Sequence, residues 1–153
     1  MTGLTGMTGA TGVTGPTAPN VTANYQYSSG AAFTTSTPAV FPLIGVTGDG
    51  TAITQNGNGT LTLAPNQAYM VDFSVDASIP PASTAGAFVS LNGTNVVGSG
   101  VTTFNSTAAS QPTFLSSNAI VRTGGTAGTL ALNVQGSQAT QFGAPAFSVI
   151  KIA

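Results

Sequence analysis

The chain has 153 residues, enough for one domain of ordinary size with a tail. Only Asp49, Asp72, Asp76, Arg122 and Lys151 carry charge, 3% of the residues, and there is neither histidine nor cysteine. That removes almost all of the usual acid–base equipment, excludes thiolate chemistry, disulfides and zinc–thiolate sites, and leaves a net charge of −1 that attracts neither nucleic acid nor anionic lipid.

The first readable pattern is Gly3 to Thr17. It consists of the triplets Gly3-Leu4-Thr5, Gly6-Met7-Thr8, Gly9-Ala10-Thr11, Gly12-Val13-Thr14 and Gly15-Pro16-Thr17. Glycine at every third place is the requirement of a collagen triple helix, because only a hydrogen side chain fits at the axis where three strands meet. The tract therefore predicts a trimer. At roughly 3 Å per residue it spans only about 45 Å. Met1-Thr2 fits the end of a further triplet, so a longer repeat is expected upstream. The rest of the surface is coated by Thr, Ser, Asn, Gln and Gly, a neutral polar cover that suits an extracellular particle better than a cell interior. No run of about twenty apolar residues exists to span a membrane as a helix.

Ala18-Pro19 breaks the triplets, and residues 18–30 read as a neck. From Ala31 onward Gly, Pro and Asn punctuate the chain about every ten residues, with short period-two runs between them, the pattern of a sandwich of antiparallel strands. Weak strands are expected at 32–36, 40–46, 51–54 and 60–63, with turns at Asp49-Gly50, Asn56-Gly57 and Asn58-Gly59. The clearest strand is 67–77. Tyr69, Val71, Phe73, Val75 and Ala77 share one face, expected buried; Met70, Asp72, Ser74 and Asp76 share the other, expected solvated. Residues 85–91 alternate in the same way, turn at Asn92-Gly93 and return at 95–97. Further strands are expected at 113–123, 129–134 and 146–152. The last is apolar on both faces and so calls for cover on both sides, one of them from another subunit. Pro80, Pro81 and Pro112 exclude central-strand positions. Eight to ten strands in about 120 residues make a jelly roll the natural architecture. The division is thus a Gly-X-Thr stalk fragment at 1–17, a neck at 18–30 and an all-β head at 31–153.

Three stretches of the head carry a resemblance. They are Gly50-Thr51-Ala52-Ile53-Thr54-Gln55 followed by Gln67 to Phe73, the hairpin Val89 to Gly100, and the closing Ala146 to Ala153. With the Gly-X-Thr tract in front, they resemble the BclA-like collagen-like glycoproteins of the bacterial exosporium, and the order stalk, neck, head is also that family's. The resemblance implies a tumour-necrosis-factor-like jelly roll that forms a homotrimer at the tip of a collagen-like fibre on the spore surface. It also implies O-glycosylation of the stalk threonines at the matching triplet position, Thr5, Thr8, Thr11, Thr14 and Thr17. A trimeric adhesin or receptor-binding tip of a phage or other microbial fibre is the alternative, with a host-surface ligand or glycan as its partner.

Catalytic groups are sparse. Asp72 and Asp76 lie four apart on one strand, about 13 Å by strand rise, too far for a glycosidase pair. Asp49 has no neighbouring carboxylate with which to hold calcium. Four Asn-X-Ser/Thr sequons, at Asn20, Asn58, Asn92 and Asn105, occur in a chain rich enough in these residues to supply them by chance, and Asn58 and Asn92 read as turn residues. Arg122 and Lys151 are single cations able to pair with an aspartate across a strand or subunit boundary. No tryptophan marks a sugar platform. The expectation is a structural protein without catalytic, cofactor or metal residues.

Overall fold

The computed structural model describes residues 25–143 and 145–153. The stalk tract and residues 18–24 of the expected neck lie outside the described residues.

The described residues are all β, in fourteen strands. In chain order these are β1 (Tyr25–Gly30), β2 (Phe33–Thr35), β3 (Ala39–Val40), β4 (Leu43–Asp49), β5 (Ile53–Gln55), β6 (Leu61–Leu63) and β7 (Ala68–Ile79). They continue as β8 (Ser83–Leu91), β9 (Thr94–Asn95), β10 (Val101–Asn105), β11 (Gln111–Arg122), β12 (Gly128–Gly136), β13 (Thr140–Phe142) and β14 (Ala146–Lys151). Two antiparallel sheets result. The first runs β2-β13-β7-β14-β1-β4 with β11 also on β7, and the second runs β10-β8-β12-β6-β5 with β3 on β12 and β9 on β8.

The long β7 organises the first sheet. One edge pairs with β11 along its whole length, from Gln111↔Ile79 to Arg122↔Ala68. The other edge is divided between β14, opposite Tyr69 to Ser74, and β13, opposite Ala77 and Ser78. Pro112 lies inside β11, whose one sheet partner among the described residues is β7; an edge strand tolerates the missing donor.

Period two decides which side is core. Tyr69, Val71, Phe73, Val75, Ala77 and Ile79 point inward from β7 and are all at most 3% exposed. Phe147 and Val149 of β14 sit beside Phe73 and Val71 in register. From the second sheet Leu61, Leu63, Ala87, Val89, Leu130, Leu132 and Val134 close the other side of a single core. Each fully buried large apolar side chain contributes roughly 1.5–3 kcal/mol. Phe41 plugs one margin of the sandwich and meets Phe33 edge to face, with centroids 6.0 Å apart.

Polar side chains fasten the loops. Buried Asn105 donates through Nδ2 to the carbonyls of Ile79, Pro80 and Ala109, while its Oδ1 accepts from the amide and hydroxyl of Thr107. The Tyr69 hydroxyl shares its one proton between the Ala52 and Ala64 carbonyls. The hairpin at Asn92-Gly93 forms as the pair predicts, with φ of 52° and 78°. Gly59 has φ of 81°, and a Cβ there would come within 2.8 Å of the Phe41 carbonyl oxygen.

Several expectations change. Residues 25–30, read as neck, are strand β1, hydrogen-bonded between β14 and β4, so the sheet begins before the expected boundary at Ala31. Strands β10 and β13 were not expected. The return strand after Asn92-Gly93 is only two residues long, and Val97 is fully exposed.

Candidate functional site

The most distinctive surface is the outward side of the first sheet. Strand pairing aligns Ile150 of β14, Met70 of β7 and Ile120 of β11 in one cross-strand row. Met70 is 45% and Ile120 60% exposed. The row continues in register to Tyr25, the first residue of β1. Ile152, also partly exposed, follows just beyond the end of β14. The side of β7 read from the sequence as polar is therefore apolar at its Met70 end. The reason is register, which brings two isoleucines from distant strands beside one methionine.

The next rows are polar. Ser148, Asp72 and Asn118 form one, and Ala146, Ser74 and Ser116 another. Beyond them Phe114 stands opposite Asp76, 78% exposed and about 20 Å along the strand from Ile120. There a cleft of about 470 Å³ opens between the ends of β7, β11 and β13, walled by Phe114, Pro112, Asp76 and Gln141. Gly143 lies so close to Asp76 that a Cβ would come within 2.8 Å of the aspartate Cβ, and its amide donates to the Asp76 carbonyl at 2.7 Å.

The charged residues do not converge. Asp72 and Asp76 share a face but stand in separate rows. Asp49 accepts the Gly50 amide at 2.7 Å and so serves its own turn. Among the described residues no three His, Cys, Asp or Glu side chains gather to hold a metal. Arg122 pairs in register with Ala68, and Lys151 with Tyr69; neither makes an ion pair within the described residues. Burial pushes the Tyr69 phenol above its ordinary value of 10.0.

The sequon asparagines among the described residues have local structural roles. Asn105 is buried in the bonding network given above. Asn58 Oδ1 accepts from the amide and hydroxyl of Thr60, and Asn92 Oδ1 accepts from the Thr129 amide. Thr5, Thr8, Thr11, Thr14 and Thr17 lie outside the described residues.

No family model and no curated protein sequence matches the chain. Solved structures do. The PRD1 vertex protein P5 superposes with a TM-score of 0.54 at 10% identity, over 86% of this chain and 99% of its own. The Eiger TNF from S. frugiperda superposes with a TM-score of 0.53 at 9% identity, over 85% of this chain and 94% of its own. The fold is a tumour-necrosis-factor-like jelly roll. At these identities the likeness concerns the fold alone, and the jelly-roll head expected from strand spacing is the architecture found.

Proposed function

We propose that the chain is a structural surface protein whose jelly-roll head trimerises through the outward side of the first sheet and so registers and caps a collagen-like fibre. One observation carries the reading. The apolar row Ile150–Met70–Ile120 is continuous in register with Tyr25, where β1 receives the chain arriving from the Gly-X-Thr tract. Packing three such rows about a threefold axis would cover these side chains and gather three stalk ends at one place. The glycine period demands three strands for its own reason, and the two requirements coincide.

Three glycine-rich strands lose much conformational entropy on alignment. A head that associates first holds their ends at high local concentration and makes the rest of the assembly intramolecular. The resemblance to exosporium glycoproteins extends the proposal to the nap of a bacterial spore, with sugars on Thr5, Thr8, Thr11, Thr14 and Thr17 and an extracellular location. The reading assigns no catalytic role, in keeping with scattered carboxylates and the lack of histidine and cysteine.

The test compares triple-helix formation, followed by circular dichroism on cooling, for chains bearing an extended Gly-X-Thr tract with and without residues 25–153. Faster association and a higher melting temperature with the head are expected. Equal rates and equal melting would refute registration by the head.

A further inference from the structure

The outward side of the second sheet holds a different kind of site. Pairing sets Asn133 of β12 between Phe88 of β8 and Val40 of β3, and sets Ser90 of β8 between Ala131 of β12 and Asn95 of β9. The small Ser90 and Ala131 make a dip in the middle of the sheet. Although strand alternation turns both toward solvent, each is only 5% exposed. Around them lies a groove of about 350 Å³, walled by Phe88, Asn133, Asn95 and Thr129. No charged residue lines it.

The hydrogen-bonding capacity of the floor is only partly used. Asn133 Nδ2 donates to Ser90 Oγ at 2.8 Å and to the Ala131 carbonyl at 3.3 Å, which fixes the amide orientation. Among the described residues nothing donates to Asn133 Oδ1, and the Ser90 hydroxyl proton has no acceptor. The site thus offers one fixed acceptor on half-buried Asn133 and one donor on buried Ser90, whose hydroxyl proton is free to turn to a ligand, beside an aromatic wall. Polar groups so placed gain from a ligand that can both donate and accept at close spacing. An ion would find no counter-charge there, and its desolvation would go uncompensated.

We infer that this groove is a binding site for a neutral saccharide, whose vicinal hydroxyls bridge Asn133 Oδ1 and Ser90 Oγ while the apolar side of its ring lies against Phe88. The volume is at the small end of ligand sites and fits a sugar residue better than a folded partner. The site is independent of the self-association reading, since it occupies the opposite side of the sandwich. Sequence alone could not reveal it, because its walls come from β3, β8, β9 and β12.

The test uses the ¹⁵N-labelled full chain titrated with neutral methyl glycosides of glucose, galactose, mannose and N-acetylglucosamine into the millimolar range. At least one is expected to give saturable shifts centred on the amides of Phe88, Ser90, Asn95 and Ala131, unchanged by added salt. Asn133→Ala should weaken that binding about tenfold, and Ser90→Ala, a near-isosteric change that protects the fold, by a similar factor. Resonances on the first sheet report whether each variant is folded. The proposal is overturned if none of the four sugars shifts these amides, if the shifts map to the Phe114 cleft instead, or if folded Ser90→Ala binds like the parent.

Discussion

Replacing Ile120 by serine puts the proposed assembly face to a quantitative test. The side chain is 60% exposed on a single protomer, so little of its apolar surface takes part in folding the head. Full burial of an isoleucine contributes roughly 1.5–3 kcal/mol, so covering the exposed part at a threefold contact contributes about 1–2 kcal/mol per protomer. Three copies change together, which makes the loss about 3–5 kcal/mol per trimer, or roughly two to four decades in the dissociation constant. Sedimentation equilibrium over a dilution series reads this directly. The matched control is Phe104→Ser, which removes a comparably exposed apolar group, 58%, from the second sheet. Ile120→Ser should dissociate at concentrations where the parent and Phe104→Ser remain associated, with near-UV and far-UV dichroism unchanged. If Phe104→Ser dissociates and Ile120→Ser does not, the assignment of the face is wrong.

Two further outcomes concern the fold itself. Asn105→Ala removes two N–H donors shared among three carbonyls and the acceptor for Thr107, and urea unfolding should show a loss of about 2 kcal/mol, taking roughly 1 kcal/mol for each N–H; a loss under about 1 kcal/mol would mean that water replaces these bonds at little cost. Tyr69 has a folded pKa raised by burial, so its contribution is fully present below the ordinary phenol value and is lost as pH rises through the folded value. Urea midpoints should therefore fall above about pH 10 for the parent and fall less for Tyr69→Phe; parallel profiles would remove Tyr69 as the cause.

Much of the head was legible because its strands obey period two. β7, β8, β11, β12 and β14 each alternate over several residues, and the burial pattern of β7 follows the expected faces from Tyr69 to Ala77. β10 escaped notice although its burial alternates, because its residue types are reversed: Phe104 turns outward and Asn105 is buried. β13 is three residues long and buries a threonine, too little for any period to register. β1 was hidden by a polar composition typical of linkers, and its place in the sheet depends on backbone pairing with β14 and β4. The two surfaces proposed to carry function were illegible for a common reason. Each is a row across strands far apart in the chain, and its register is set by the whole sandwich. Ile120 and Ile150 lie in strands expected from the sequence, but nothing local placed Met70 between them.

The proposed function requires three heads to associate through the first sheet. The most direct measurement is the native mass of the intact chain by light scattering during size-exclusion chromatography. Three times the 14.9 kDa chain mass, persisting on dilution, is expected. A stable species at 14.9 kDa would contradict it, leaving the apolar row without a covering partner and the glycine repeat without a device to align it.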